Sequence, residues 1–161
     1  MARGTQPANI RESVFWNEYR DQREQTQLSQ LPFVRAGVRN GRVSLVNDAV
    51  WLNMFRSINE GVGTLLRFRG PVGLICFTTL SGARRRIDSE LMEHLPGWRT
   101  PIWDLSPNRS TRTDLKMHTI SVTQATPAPW DATADLQHIT WLLEAESAFR
   151  AVCLPLLLQA A

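Results

Sequence analysis

The segment Lys116-Met117-His118-Thr119-Ile120-Ser121-Val122-Thr123 carries the sharpest chemical pattern in the chain. A period of two puts His118, Ile120 and Val122 on one face and Thr119, Ser121 and Thr123 on the other. A row of short hydroxyls suits a ribose–phosphate backbone, because each can donate to a phosphate oxygen or pair with a 2′-hydroxyl. Threonine is equally a good strand former on any solvated face. Leu66-Arg67-Phe68-Arg69 repeats the alternation, with Leu66 and Phe68 inward and Arg67 and Arg69 sharing the other face. Such strands side by side present one sheet face of hydroxyls and guanidiniums.

The cations favour the same chemistry. Of 18 basic side chains, 17 are arginine and one, Lys116, is lysine. A guanidinium is planar, permanently charged and forked, so it grips phosphate oxygens bidentately where an ammonium offers a point charge. A GC-rich coding sequence would also favour arginine. Arg84-Arg85-Arg86 is a compact cluster that holds phosphates or is an ordinary solvated helix start; cations there oppose the dipole, and that cost gives some weight to a functional role. In Phe15-Trp16-Asn17-Glu18-Tyr19-Arg20, Trp16 and Tyr19 are three apart and project from one side of a helix. They are a core stripe or, given the polar residues around them, exposed rings that stack on bases at about 1–3 kcal/mol per base.

Catalytic signals are poor. His94, His118 and His138 lie far apart, and no HExxH, CxxC or glycine-rich phosphate loop is present. The chain reads as a binding protein rather than an enzyme, with no cofactor or metal expected.

The elements that must position these groups follow from periodicity and turn chemistry. Residues 1–10 read as a loose arm and 11–161 as one domain. A helix is expected from Glu12 to Gln27, with Ser13 as its cap. A turn at Asn40-Gly41 leads to a strand over Arg42–Val46. Asn47 or Asp48 then caps a helix over Ala49–Ile58 whose face is Trp51, Met54, Phe55 and Ile58, closed by Gly61 and Gly63. Strands follow over Leu65–Arg69 and Val72–Thr79, then a helix over Arg84–Leu95 stopped by Pro96-Gly97. Trp98–Asp114 reads as loop with a short extended piece at Ile102-Trp103, and Leu115–Thr123 as a strand. A final helix runs from Asp131 or Thr133 to Leu154. Strands with helices between and after them make the fold class α+β.

With 43% hydrophobic and 20% charged residues and a net charge of +3, the balance is that of an ordinary folded domain with a mildly basic surplus. Cys76 and Cys153 sit in apolar sequence and fit a reducing compartment, with a disulfide left open. The opening residues are not a signal peptide, and Ala151–Leu158, broken by Pro155, is too short to span a bilayer, so the expectation is a soluble intracellular protein. The last helix offers Leu136, Ile139, Leu142, Leu143, Phe149, Val152, Cys153 and Leu156 for burial. That surface is absorbed within one domain or covered by a partner helix, and a homodimer packed through it is the expected arrangement.

Read in order, these pieces resemble the tombusvirus nineteen-kilodalton RNA-silencing suppressor family, plant-virus proteins that sequester short interfering RNA. The family's Trp-x-Glu-Trp-Arg matches Trp16-Asn17-Glu18-Tyr19-Arg20, with Tyr19 in place of the second tryptophan. Arg86 to Trp98 resembles its central helix, Thr119 to Thr123 its hydroxyl-rich strand, and Leu136-Gln137-His138-Ile139 its following Leu-Gln-His-Leu. The family's basic strand before the central helix has no counterpart, because Gly73 to Leu80 is apolar.

The resemblance implies a small sheet with helices on one face and an N-terminal reading helix. It implies a homodimer with a continuous concave sheet, joined through the C-terminal helix and neighbouring strand, acting in the host cytoplasm. A-form duplexes are recognised through phosphates and 2′-hydroxyls rather than sequence. The expected RNA-contacting set is Trp16, Tyr19, Arg20, Arg67, Arg69, Arg84, Arg85, Arg86, Lys116, Thr119, Ser121 and Thr123, with Trp16 and Tyr19 stacked on the terminal base pairs. Alternatives are a viral matrix- or capsid-type structural protein that binds nucleic acid non-specifically, and a small nuclease.

Overall fold

The computed structural model describes residues 8–104, 118–126 and 129–160. Strands β1 (Phe33–Gly37), β2 (Asn40–Val46), β3 (Val50–Ser57) and β4 (Gly61–Phe68) form an antiparallel meander. β5 (Ile102–Asp104) and β6 (His118–Gln124) complete a six-stranded sheet in the order β1-β2-β3-β4-β6-β5, antiparallel at every pairing. Helices α1 (Ala8–Glu24), α2 (Gly70–Gly82), α3 (Arg84–His94) and α4 (Ala132–Ala160) join it, giving an α+β fold.

Alternation sets which sheet face holds the core. Val43, Val50, Leu52, Met54, Val62, Leu66, Phe68, Ile120 and Val122 are buried together with side chains of all four helices. Their strand neighbours Trp51, Phe55, Leu65 and Ile102 stand outside that core, because successive side chains point to opposite faces. The helices therefore share one face, and no described helix covers the other.

Two segments adopt the opposite structure to the one their local sequence predicts. Ala49–Ile58 is strand β3 rather than a helix. Asn47, with φ of 41°, sits in the turn between β2 and β3 instead of capping a helix. Paired with β4 from Val50 to Ser57 and with β2 from Val50 to Phe55, β3 satisfies its backbone groups between strands. Gly61 and Gly63 accordingly belong to β4 rather than closing a helix. Val72–Thr79 is helical, within α2. Gly70-Pro71 opens that helix, where proline's fixed φ is already suitable, and Gly73, Cys76, Phe77 and Leu80 form its buried stripe.

Smaller differences have local causes. The β1–β2 turn is Val38-Arg39, while Asn40-Gly41 lies inside β2. Glycine is needed at 41 because a β-carbon there would come within 2.0 Å of the Phe33 ring. α1 takes in residues 8–10 of the expected arm, so Ser13 lies inside the helix rather than at its cap. β4 ends at Phe68, so Arg69 is not a strand residue but the residue preceding α2. α4 continues past Pro155 to Ala160, its last turns held by buried Cys153 and Leu157. Both cysteines are free and buried.

α1 is fastened by charges as well as rings. Glu12, Phe15, Trp16, Tyr19 and Arg23 recur at helical spacing, and all are buried. Glu146 of α4 accepts from Tyr19 Oη at 3.0 Å, from Arg23 Nε at 2.8 Å and Nη2 at 2.9 Å, and from Arg150 Nη1 at 3.2 Å. Arg56 of β3 donates to both Glu12 oxygens at 2.8 and 2.9 Å and to Asp135 at 2.5 Å. Its guanidinium lies between the Phe15 and Trp130 rings, 3.5 and 4.6 Å from their centroids. His138 Nδ1 is 3.2 Å from Arg56 Nη1, and burial followed by the Arg56 charge pushes His138 down to about 4.

Candidate nucleic-acid interface

Thr119, Ser121 and Thr123 point from β6 onto the face that no described helix covers, half-buried, while Ile120 and Val122 fill the core. The β4–β6 register places Arg67 beside Thr119, Leu65 beside Ser121 and Gly63 beside Thr123. Trp51 of β3 is opposite Arg67, so a row runs Ser44, Trp51, Arg67, Thr119 across four strands. The Arg42 guanidinium lies 3.4 Å from the Trp51 ring centroid, a cation–π contact that fixes the charge over the sheet. Burial, and then the neighbouring Arg42 charge, lowers Arg67 from its ordinary value.

The remaining predicted residues do not join this row. Trp16 and Tyr19 are in the core at 1% and 0% exposure, so they are not free to stack on a terminal base pair. Trp16 stacks 5.9 Å from Phe33 and Tyr19 bonds Glu146. Asn17, Glu18, Asp21 and Glu24 occupy the solvent side of the same helix, while Glu12 and Arg23 are buried with the rings. Arg20 is half-buried, 5.7 Å from the Phe33 ring centroid. Arg69 is exposed at the junction of β4 and α2.

Arg84, Arg85 and Arg86 are exposed on the first turn of α3, in the helix layer. Arg84 lies 5.3 Å from the ring centroid of Trp103, a core-side residue, and so stands on the other side of the sheet from the hydroxyls. Arg86 pairs with Glu90 at 2.9 Å. Lys116 lies outside the described residues.

Arg42, Trp51, Asn53 and Phe55 are the outer-face residues that sequence reading missed. Their signal is the alternation Trp51, Asn53, Phe55, Ser57 against Val50, Leu52, Met54, Arg56, which a helical reading of the same residues hides. The histidines remain apart in role: His94 is exposed, His118 stacks on Phe77 at 4.5 Å, and His138 belongs to the Arg56 cluster.

Much of the apolar surface of α4 is buried within the chain, while Leu136 and Leu158 stay exposed. Ile139, Leu142, Phe149, Val152 and Cys153 are buried, Leu143 and Leu156 are partly so, and Leu136 is exposed. Among the described helices, α2 also presents an apolar face, with Val72, Leu74 and Ile75 exposed on a helix without a charged residue. No helix among the described residues is long and apolar enough to cross a membrane. Comparisons with protein-family models, curated proteins and solved structures find no match to this chain.

Proposed function

We propose that this protein binds short double-stranded RNA on the uncovered face of its sheet and sequesters it without chemistry. The observation that carries the reading is the register of Thr119, Ser121 and Thr123 with Arg67, Leu65 and Gly63 on a face left open by the helices. Hydroxyls and guanidiniums in fixed rows suit A-form RNA, whose wide minor groove offers 2′-hydroxyls and phosphates but little sequence. This agrees with the resemblance to the tombusvirus suppressor family in its hydroxyl strand. The end-stacking bracket of Trp16 and Tyr19 is no part of the proposal, and neither is the length selection such a bracket would impose.

A second copy of the chain extends the surface. β5 is a sheet edge with Ile102 exposed, and α2 offers Val72, Leu74 and Ile75 as a neutral apolar face. That same face favours the second reading, a structural protein that assembles into larger particles and binds nucleic acid non-specifically.

The test compares duplex RNA, duplex DNA and single-stranded RNA of one sequence by gel shift. The wild-type chain is set beside a Thr119→Val, Ser121→Ala, Thr123→Val variant. Duplex RNA is expected to bind most tightly. Each hydroxyl bond is worth about 0.5–1.5 kcal/mol, so the variant loses that preference by about tenfold or more. Equal binding of duplex RNA and duplex DNA by the wild type overturns the proposal. Equal binding of single and double strands by large oligomers supports the structural reading instead.

A further inference from the structure

On the face that no described helix covers, β3 carries rings where β6 carries hydroxyls. Trp51 and Phe55 both stand on this face, half-buried and outside the core. Four residues of strand set them about 13 Å apart, so each ring meets a different base of a nucleic-acid strand.

The surroundings of each ring decide what it presents. Trp51 Nε1 is buried without an acceptor, so the part of the indole that reaches the surface is carbon. A carbon ring surface stacks on any base rather than reading one by hydrogen bonds. The Arg42 guanidinium lies 3.4 Å from the Trp51 ring centroid, in contact with the ring face. A guanidinium stacked by its plane keeps its N–H edges for phosphate. Among the described residues, no carboxylate lies within ion-pair distance of Arg42.

Phe55 lies low on the sheet. Its ring reaches over its partner on β4, Gly63, where a β-carbon would come within 2.5 Å of Cζ and 2.9 Å of Cε1. The glycine is what lets the ring lie across the neighbouring strand.

Stacking rings beside an arginine that no acid neutralises suit unpaired nucleotides, whose bases splay out onto aromatic and guanidinium planes. The bases inside a duplex are already stacked on one another and cannot use such rings. We propose that β3 is a stacking platform for unpaired nucleotides. One base lies on the Arg42–Trp51 pair and another on Phe55, without preference for base identity. The nucleotides belong to a free single strand or to the overhang of a duplex held on the hydroxyl row. Only the overhang rests on the reading given under Proposed function.

The experiment follows fluorescence anisotropy of end-labelled RNA on the full chain. It compares two unstructured single strands of different base composition. Beside them stand duplexes of one paired length that are blunt or carry short 3′ overhangs of uridine or adenosine. Both single strands are expected to bind, more weakly than the duplex. Either overhang is expected to tighten duplex binding about fivefold or more over blunt ends, the worth of one stacked base. Trp51→Leu removes most of that gain and weakens both single strands, whereas Trp51→Phe, which keeps a ring, retains most of it. Phe55→Leu weakens the same binding and serves if Trp51→Leu does not fold.

Equal affinity for blunt and overhanging duplexes, with no single strand bound, overturns the platform and leaves the duplex reading standing. Single strands bound by the wild type and released by Trp51→Leu, with no duplex bound, uphold the platform and sink the duplex reading. Single-strand affinity unchanged in folded Trp51→Leu and Phe55→Leu overturns the platform, because the strand then binds elsewhere.

Discussion

Glu12, Phe15, Trp16, Tyr19 and Arg23 occupy one face of α1, and their order explains why that helix looks exposed in the sequence. The buried stripe begins and ends in charged residues that are paired inside, with Arg56 and with Glu146. A charged residue counts as solvent-facing until its partner, here 44 or 123 positions away, is known. Removing one member of such a pair strands the other in a water-poor site. Trp16 then acts through packing. Trp16→Ala is expected to lower unfolding free energy by about 3–5 kcal/mol, the range for large core truncations, in a urea titration. RNA affinity of the folded fraction should not change. A stable variant with weakened RNA binding would instead restore Trp16 as an end-stacking ring.

At the scale of elements, the departures from expectation have a common origin. β6 and α3 are legible because their patterns fit one period only. β3 is not, since Trp51, Met54 and Phe55 suit a helical face as well as a strand, and pairing with β2 and β4 decides between them. α2 reads as a strand because it is apolar on both its buried and exposed sides and so shows no amphipathic period.

That two-sided apolar character yields a prediction. Leu74→Glu with Ile75→Glu places charges on the exposed face of α2 without touching its stripe of Gly73, Cys76, Phe77 and Leu80. In sedimentation velocity the wild type is expected as a dimer and the double variant as a monomer of unchanged circular dichroism. A wild-type monomer at tens of micromolar would remove the second copy from the proposal.

For the molecule as a whole, the ion clusters couple α1 to sheet and α4, and they make stability depend on pH. Burial and Arg56 hold His138 down to about 4, against an ordinary value of 6.5. Between those values the unfolded chain binds a proton that the folded chain refuses. The penalty is absent above about pH 6.5, grows as pH falls, and is complete below about 4, where it reaches the order of 3 kcal/mol. Urea midpoints measured from pH 7.5 to 4.5 should fall accordingly, and His138→Gln should flatten the curve over this window. Parallel curves for the two proteins would show that His138 titrates normally in the fold.

Local order along the chain was enough for the α+β class, the central helix, the final helix and the outward row Thr119, Ser121, Thr123. Each of these rests on side chains a few positions apart, and periodicity records that. Long-range packing alone decided that Trp16 and Tyr19 are core, that Ala49–Ile58 is a strand, and that Arg42 lies on Trp51 and Phe55 over Gly63. Those outcomes depend on partners on other strands and helices, and the energy of burying a ring, or of pairing a buried charge, has no trace in the residues beside it.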